Sequence, residues 1–387
     1  MTAANAKGIL SGKGGRNVLM AVGLVLLMVV FNLLTGNIFT SVRNLTLLMK
    51  QGSVLMITAS GMMLLLIERN FDLSTGAAVY FVSVVAAQCA VTYKLGLGAS
   101  ILISLAVGFV MGSINGFFIG RIGVPAFIGT LAAQLVFKGV GYTWTNAATI
   151  GPVPDNFAWL SEGYIPPLPS AILIAVVALV ACAMSIRNYQ LMKQWYGSVN
   201  KLFFRIAFIL LVAAVAIWIF TGYYGIPMCV LFASLVATLT GFVSNKTIFG
   251  RHIYIIGGNP EAATLSGIKT KNRILQSYLY MGMIYGIAGI VITARLGGST
   301  ATSGNLLDLD SVAACCIGGT SMSGGVGRIT GVVLGVLILS GVDNVMSLMN
   351  VSSYLQMVVK GLILLLAVCT DVCMNQTKFR LKKASAK

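Results

Sequence analysis

Apolar residues run along this chain in long unbroken stretches separated by short polar interruptions; they neither alternate nor keep to one face. About 12 such stretches can be marked, at residues 18–34, 45–67, 74–93, 97–120, 124–143, 169–186, 203–221, 226–244, 275–296, 309–319, 329–350 and 353–371. A bilayer core takes about 20 apolar residues per helical span. Lipid offers no partners to open backbone, so spanning segments must be helices or the strands of a closed barrel. Continuous runs select helices, because barrel strands alternate. The pattern therefore predicts an all-α, polytopic membrane bundle. Residues 1–17 and 373–387 are read as cytoplasmic tails flanking one transmembrane domain over 18–372.

Three stretches break the pattern. Residues 144–168 are rich in Pro, Gly and Asn, with Trp144, Trp159 and Tyr164 at interfacial positions. Residues 246–274 form the longest basic loop. Residues 297–328 are Gly- and Ser-rich around one short apolar run, which predicts a broken or re-entrant helix buried in protein.

Composition agrees: the 387 residues are 57% hydrophobic and 9% charged, against about 25% charged in a soluble domain. Mean hydropathy is +0.92. The net charge of +17, from 26 Lys+Arg against 9 Asp+Glu, does not point to nucleic acid, since no basic stripe with interleaved aromatics is present. It sorts by loop instead. With the N-terminus inside, Arg69, Arg121, Arg187, Lys193, Lys201, Arg205, Lys246, Arg251, Lys269, Lys271, Arg273 and Arg328 fall on the cytoplasmic side, with Lys378, Arg380, Lys382, Lys383 and Lys387 in the tail. Asp155, Glu162, Asp308 and Asp310 fall outside. That asymmetry obeys the positive-inside rule, and an even number of spans puts both termini in the cytoplasm.

Chemistry is sparse. Seven cysteines sit mostly in apolar runs without a C-x-x-C pair, and the single His252 has no ligand neighbours in sequence, so no metal site is expected. The stretch GILSGKGG at 8–15 lacks the spacing and the strand of a phosphate-binding loop. No nucleophile–base constellation appears, which argues against an enzyme and leaves any ATP-driven work to a partner.

The strongest local signal is IIGGNPEAATLSGI at 255–268. Asn259 is an N-cap, Pro260 suits the first helical position, Glu261 complements the helix dipole, and Gly267 stops the helix. Residues 259–267 are expected to form a short helix, either as a docking element or as an incidental turn in a linker. In RNFDLSTGA (69–77), Asp72 or Ser74 caps the next span or Asp72 meets substrate. Within residues 112–134, Gly and small residues imply close helix packing, and Asn115 and Gln134 are either packing amides or pathway groups. Lys360, deep in the last span, is either functional or paired with Asp343.

Five stretches resemble, in order, the ribose/xylose/galactose-type ABC permeases: FDLSTGA (71–77), INGFFIGRIGVPAFIGTLA (114–132), GRHIYIIGGNPEAATLSGI (250–268), ACCIGGTSMSGGVGRITGVVLG (314–335) and SSYLQMVVKGLILLLAV (352–368). ATIGPVPDNF (148–157) is similar to the multiple-monosaccharide and xylose branch, as is an extra apolar pair near 187–245. Phe71 and Thr75 depart from the family's usual I-D-L-S-V-G. The resemblance implies a vitamin-B12-permease-like (type II importer) bundle in the bacterial cytoplasmic membrane, in a homodimer among membrane lipids. It implies a sugar-binding protein outside and ATPase subunits, carrying ATP and Mg, inside, and no cofactor on this chain. It makes 246–274 a coupling loop, with Gly257, Gly258, Asn259, Pro260, Glu261, Ala262, Ala263, Ser266 and Gly267 facing the ATPase. Asp72, Asn115, Phe127, Gln134 and Asn344 make up the expected substrate pathway, and Asp343 with Lys360 a structural charge pair.

Overall fold

The computed structural model describes residues 15–196 and 199–385. The phosphate-loop-like stretch at 8–15 lies almost wholly outside them, and so do the side chains that carry the charge of both tails and those of Lys193 and Lys201. Fifteen helices follow in chain order: α1 (Gly15–Leu34), α2 (Val42–Ile67), α3 (Thr75–Ala87), α4 (Leu97–Gly116), α5 (Ala126–Thr145), α6 (Asp155–Glu162), α7 (Pro167–Tyr196), α8 (Val199–Thr221), α9 (Met228–Lys246), α10 (Ile248–Gly258), α11 (Pro260–Leu265), α12 (Thr270–Leu296), α13 (Leu307–Ile317), α14 (Ile329–Leu348) and α15 (Ser353–Ser385). Wider π-turns extend α3 through Gln88–Thr92 and α4 through Phe117–Ile122. Strands β1 (Tyr164–Ile165) and β2 (Ile226–Pro227) pair antiparallel.

Each apolar stretch of the sequence lies in a helix, but their lengths differ. Among the described residues, eight helices are long and apolar enough to cross a bilayer: α2, extended α3, extended α4, α7, α8, α9, α12 and α14. In α5, Gln134 and Lys138 interrupt the apolar run. At 11 residues, α13 is roughly 16 Å long, half a span. The apolar parts of α1 and α15 are the shorter runs Val25–Leu34 and Ser353–Cys369. Two helices outrun their apolar stretches: α7 continues to Tyr196, and α15 continues through the C-terminal tail.

Helix α2 is the centre. Its apolar window is 89% buried, against 6% for that of α8, so α2 is enclosed by protein while α8 presents its side chains outward. It packs against α9, α12, α13 and α14. Helices α7 and α8 pack chiefly on one another at the periphery.

The closest helix pair is α4 with α12. Gly108, Gly112, Gly116 and Gly120 recur every fourth residue on α4, and a Cβ on Gly108 would lie 2.6 Å from both Gly282 O and Gly286 N. Backbone thus packs on backbone, which is how helices associate where lipid removes the hydrophobic difference between inside and outside.

Two elements begin inside the bundle. Tyr278 donates to Phe71 O at 2.9 Å and Thr293 to Ser83 Oγ at 2.8 Å. Residues 71–83 therefore run alongside α12, and α3 starts partway along it. From the end of the bundle that carries α6, where Ile150 and Ser299 exchange backbone hydrogen bonds, residues 299–306 descend beside α3. Gly304 meets Gly76 there at backbone contact. Helix α13 then continues inward, and Gly325 N reaches Ile67 O at 2.8 Å at the opposite end. The stretch 297–328 is thus a broken crossing that runs through, not a re-entrant one that turns back.

Candidate functional site

Beside the broken crossing, α2, α12 and α14 enclose a cavity of about 300 Å³. Gln51, Arg295, Asn305, Asp310, Ser340 and Asp343 supply its polar lining. Arg295 donates to Gln51 O at 3.1 Å. Lys360 Nζ, from α15, sits 2.8 Å from Asp310 Oδ2 and 2.9 Å from Asp343 Oδ2. One cation therefore holds two carboxylates from two elements at the cavity wall. The pairing of Asp343 with Lys360 could be read from the sequence. Asp310 could not, because its place in the first turn of α13 depends on where the crossing breaks.

The five expected pathway residues occupy different surroundings. Asp72 is fully buried: Oδ1 accepts from Ser74 N at 2.8 Å and Ser74 Oγ at 2.6 Å, while Tyr285 OH donates to Oδ2. Asn115 Nδ2 donates to Ser74 Oγ at 2.8 Å and joins the same network. Asn344 and Asn44 exchange amide hydrogen bonds of 2.8 and 3.1 Å between α14 and α2. These three residues tie helices together. Gln134 instead lines a narrow crevice with Lys138, Tyr80, Gly304 and Asp308, on the other side of the broken crossing from the larger cavity. Phe127 is exposed on α5, edge-on to Phe71 at 6.4 Å.

The end carrying α11 is built as its sequence requires. Asn259 Oδ1 accepts from Ala262 N at 3.0 Å, Pro260 opens the helix, and Ser266 Oγ donates to Ala262 O at 2.8 Å. Gly267 leaves at φ +81°, a conformation glycine adopts without strain. Asn259, Pro260, Glu261, Ala262 and Ser266 are exposed, whereas Ala263 is fully buried. Helix α10 before it was not anticipated. Its signal is the helical spacing of the buried Gly250, Ile253, Ile256 and Gly257.

Arg69 straps this end to the bundle. Arg69 donates from Nε to Gly257 O at 2.7 Å and from Nη2 to Gly258 O at 3.0 Å. A Cβ on Gly257 would collide with Ile67 O and come within 2.6 Å of Gly325 N. Tyr254 OH donates to Gly327 O at 2.8 Å. The end of α10, which leads directly into α11, the end of α2 and the far end of the broken crossing are therefore one hydrogen-bonded unit, and α2 and the crossing are walls of the polar cavity.

The model for the permease component of branched-chain amino acid transport systems matches residues 44–368. The chain is 36% identical over 356 residues to the xylose transport system permease protein XylH of Haemophilus influenzae, covering 91% of this chain and 95% of that one. It is 31% identical over 350 residues to the ribose import permease protein RbsC of Escherichia coli K12, covering 90% and 92%. It is 30% identical over 387 residues to the galactose/methyl galactoside import permease protein MglC of the same strain, covering 96% and 98%. The chain belongs to this permease family. No solved structure matches it. Its relatives are transport components, not enzymes.

Two further features of the permease escaped the sequence reading. At the α6 end, the buried Lys50 of α2 donates to Glu162 Oε2 of α6 at 2.6 Å and lies 5.2 Å from the centre of the Tyr164 ring. The pair pins α6 across the mouth of the bundle. At the α11 end, Glu68 follows α2 directly and is buried, and neither carboxylate oxygen has a hydrogen-bond partner. Burial pushes its carboxyl up to about 7, against an opposing pull from Ser277 and the Arg273 guanidinium. Ser277 itself donates to Arg273 O at 3.1 Å.

Proposed function

We propose that this chain is the membrane-spanning subunit of an ATP-binding-cassette importer that carries monosaccharides of the xylose, galactose, arabinose or glucose kind across the bacterial cytoplasmic membrane. Twelve segments cross or enter the bilayer in a vitamin-B12-permease-like bundle. Both termini and α10–α11 face the cytoplasm, and the loop carrying α6 faces outward. The basic-residue asymmetry supports this orientation. Two copies of the chain enclose the central pathway. A binding protein delivers sugar at the α6 face, and ATPase subunits, which bind ATP and Mg²⁺, act at the α11 face.

The observation that carries the reading is the strap. An exposed capped helix, with small side chains and one acid, follows directly on the end of α10, where Gly257 O and Gly258 O accept from Arg69 just past α2, while Gly325 N of the broken crossing donates to Ile67 O; α2 and the crossing wall a polar cavity inside the bundle. Force applied to α11 by a moving partner passes to α2 and to the broken crossing, and from there to Asn305, Asp310 and Arg295. Neutral sugars need hydrogen-bonding groups of both kinds, and the cavity offers carboxylate, amide, hydroxyl and guanidinium. Weak contacts suffice, because the binding protein captures the sugar.

Cysteine-free permease carrying either Ala148→Cys or Thr264→Cys, labelled from outside in intact cells, tests the orientation. Label at 148 and none at 264 is expected; the reverse overturns it. A cross-link from Thr264→Cys to a co-expressed ATPase subunit tests the partner, and a cross-link to none of the ATPases encoded with the permease contradicts it.

One observation favours a second reading. Lys360 with Asp310 and Asp343 places ionisable groups in the bundle, as an ion-coupled carrier would require. Such a carrier moves sugar on an ion gradient without ATPase subunits.

A further inference from the structure

Behind the capped helix lies a second cavity, of about 350 Å³, lined by His252 of α10, Ser266, Lys269, and Asn272, Arg273 and Gln276 of α12. Its lining carries two permanent cations and no acid. Around it the sequence adds Arg251 and Lys271. The nearby acids lie outside its lining: Glu261 is exposed on α11, and Glu68, which feels the Arg273 guanidinium, is sealed in the core and pushed toward its protonated form by burial. Arg273 Nη1 is engaged by Gln276 Oε1 at 2.7 Å, which fixes the guanidinium at the wall. His252 Nδ1 is buried without a hydrogen-bond partner. Burial, followed by the charges of Arg273 and Arg251, holds the His252 imidazole below its usual range.

The surroundings indicate where the anion comes from. On α10, Ile248, Arg251, His252 and Ile255 share the face opposite the buried stripe, and Ile248 and Ile255 are exposed. An exposed apolar and basic helix face at the ends of membrane spans is the pattern of a helix lying in the interface. Basic pockets in that position suit phosphate headgroups.

We propose that this pocket binds the phosphate of an anionic phospholipid of the inner leaflet, with Lys269 and Arg273 as its charge contacts and Asn272, Ser266 and His252 as its hydrogen-bonding ones. The proposal rests on the cytoplasmic placement of α11, which the cysteine labelling tests separately; it does not depend on which substrate is carried. A lipid wedged between α10, α11 and α12 would brace the strapped end from behind.

His252 is the only histidine of the chain, so histidine-selective isotope labelling gives one imidazole signal to report on the pocket. The full-length permease is reconstituted in phosphatidylcholine nanodiscs with rising fractions of phosphatidylglycerol. The expected result is a saturable shift of the His252 signal, with its titration midpoint moving upward. Lys269→Gln and Arg273→Gln should each weaken the apparent affinity about fivefold, the equivalent of about 1 kcal/mol per cation near the surface. Lys269 is exposed, so its variant keeps the fold even where Arg273→Gln does not. Lys246→Gln, outside the pocket, should leave the lipid response intact.

The proposal is overturned if Lys269→Gln retains the full response, or if Lys246→Gln loses as much. It is also overturned if low-millimolar inorganic phosphate in pure phosphatidylcholine gives the same saturable shift, which would assign the pocket to a soluble anion. A shift seen only when ATPase subunits are added, and lost with Lys269→Gln, would assign it to an acidic side chain of the partner.

Discussion

Removing Lys360 should harm the permease far more than removing either of its partners. Lys360 Nζ lies within 3 Å of both Asp310 and Asp343, so the two carboxylates lie within about 6 Å of each other. With Lys360→Met they face one another without a cation. At an effective dielectric constant of about 20 their repulsion alone is about 3 kcal/mol, and breaking a buried ion pair by deleting one partner costs about 3–5 kcal/mol. The side chains are 15–29% exposed, so solvent screens them only in part. Asp343→Asn, by contrast, leaves a neutral Lys360–Asp310 pair and should cost under about 1 kcal/mol. Asp310→Asn falls between, because Asp310 is the less exposed acid. Replacing all three by neutral residues of similar shape should recover most of the loss, since a removed ion group is often neutral in stability. The assay is thermal melting of purified permease in one detergent, with folded yield by gel filtration. Lys360→Met should melt roughly 10 °C below the parent and the triple variant well above Lys360→Met. If Lys360→Met melts no lower than Asp343→Asn, the cluster does not act as described.

Other expectations follow from the same packing and charges. On the α4–α12 seam, a Cβ at Gly112 would lie 2.5 Å from Gly282 Cα, whereas one at Gly139 meets nothing within 4 Å; Gly112→Leu should lower the melting point by several degrees and Gly139→Ala should leave it unchanged. Glu68, raised to about 7, binds its proton more tightly folded than unfolded. The stability this gives is full below about pH 4.5 and lost as pH rises through 7, so Glu68→Gln should flatten the pH dependence of melting and stabilise the permease at pH 8 by about 3 kcal/mol. On α11, Ala262→Trp and Glu261→Lys should reduce co-purification of ATPase subunits at normal permease abundance. Ala263→Trp should lower abundance itself, because Ala263 is fully buried and has no room for an indole.

Legibility from sequence followed locality. Spans and the α11 helix could be read because their causes lie within a few residues: apolar length for the spans, and Asn259, Pro260 and Gly267 for the helix. The break in 297–328 was legible as Gly- and Ser-rich sequence, but its direction was not, because that is set by Gly304 on Gly76 and Gly325 on Ile67, contacts far apart in the chain. For the same reason Arg69 read as one more basic loop residue rather than as the strap, Asp310 as an outside acid, and Lys50 with Glu162 not at all. Asp72 and Asn115 were visible as polar groups among apolar ones, but only the fold shows that each is met by neighbouring side chains, Ser74 and Tyr285 for Asp72 and Ser74 for Asn115. The α10 helix was missed because its apolar face is short and lies inside a basic loop.

Sugar uptake by reconstituted vesicles tests the central claim most directly. Vesicles containing the permease are supplied with its cognate ATPase subunits inside and its binding protein outside, and each component is then withheld in turn. The account predicts accumulation of labelled sugar only when ATP, ATPase and binding protein are all present, and its loss with Arg69→Ala, which cuts the strap between α11 and the cavity. Accumulation by the permease alone, driven by a proton or sodium gradient and indifferent to ATP, would contradict it.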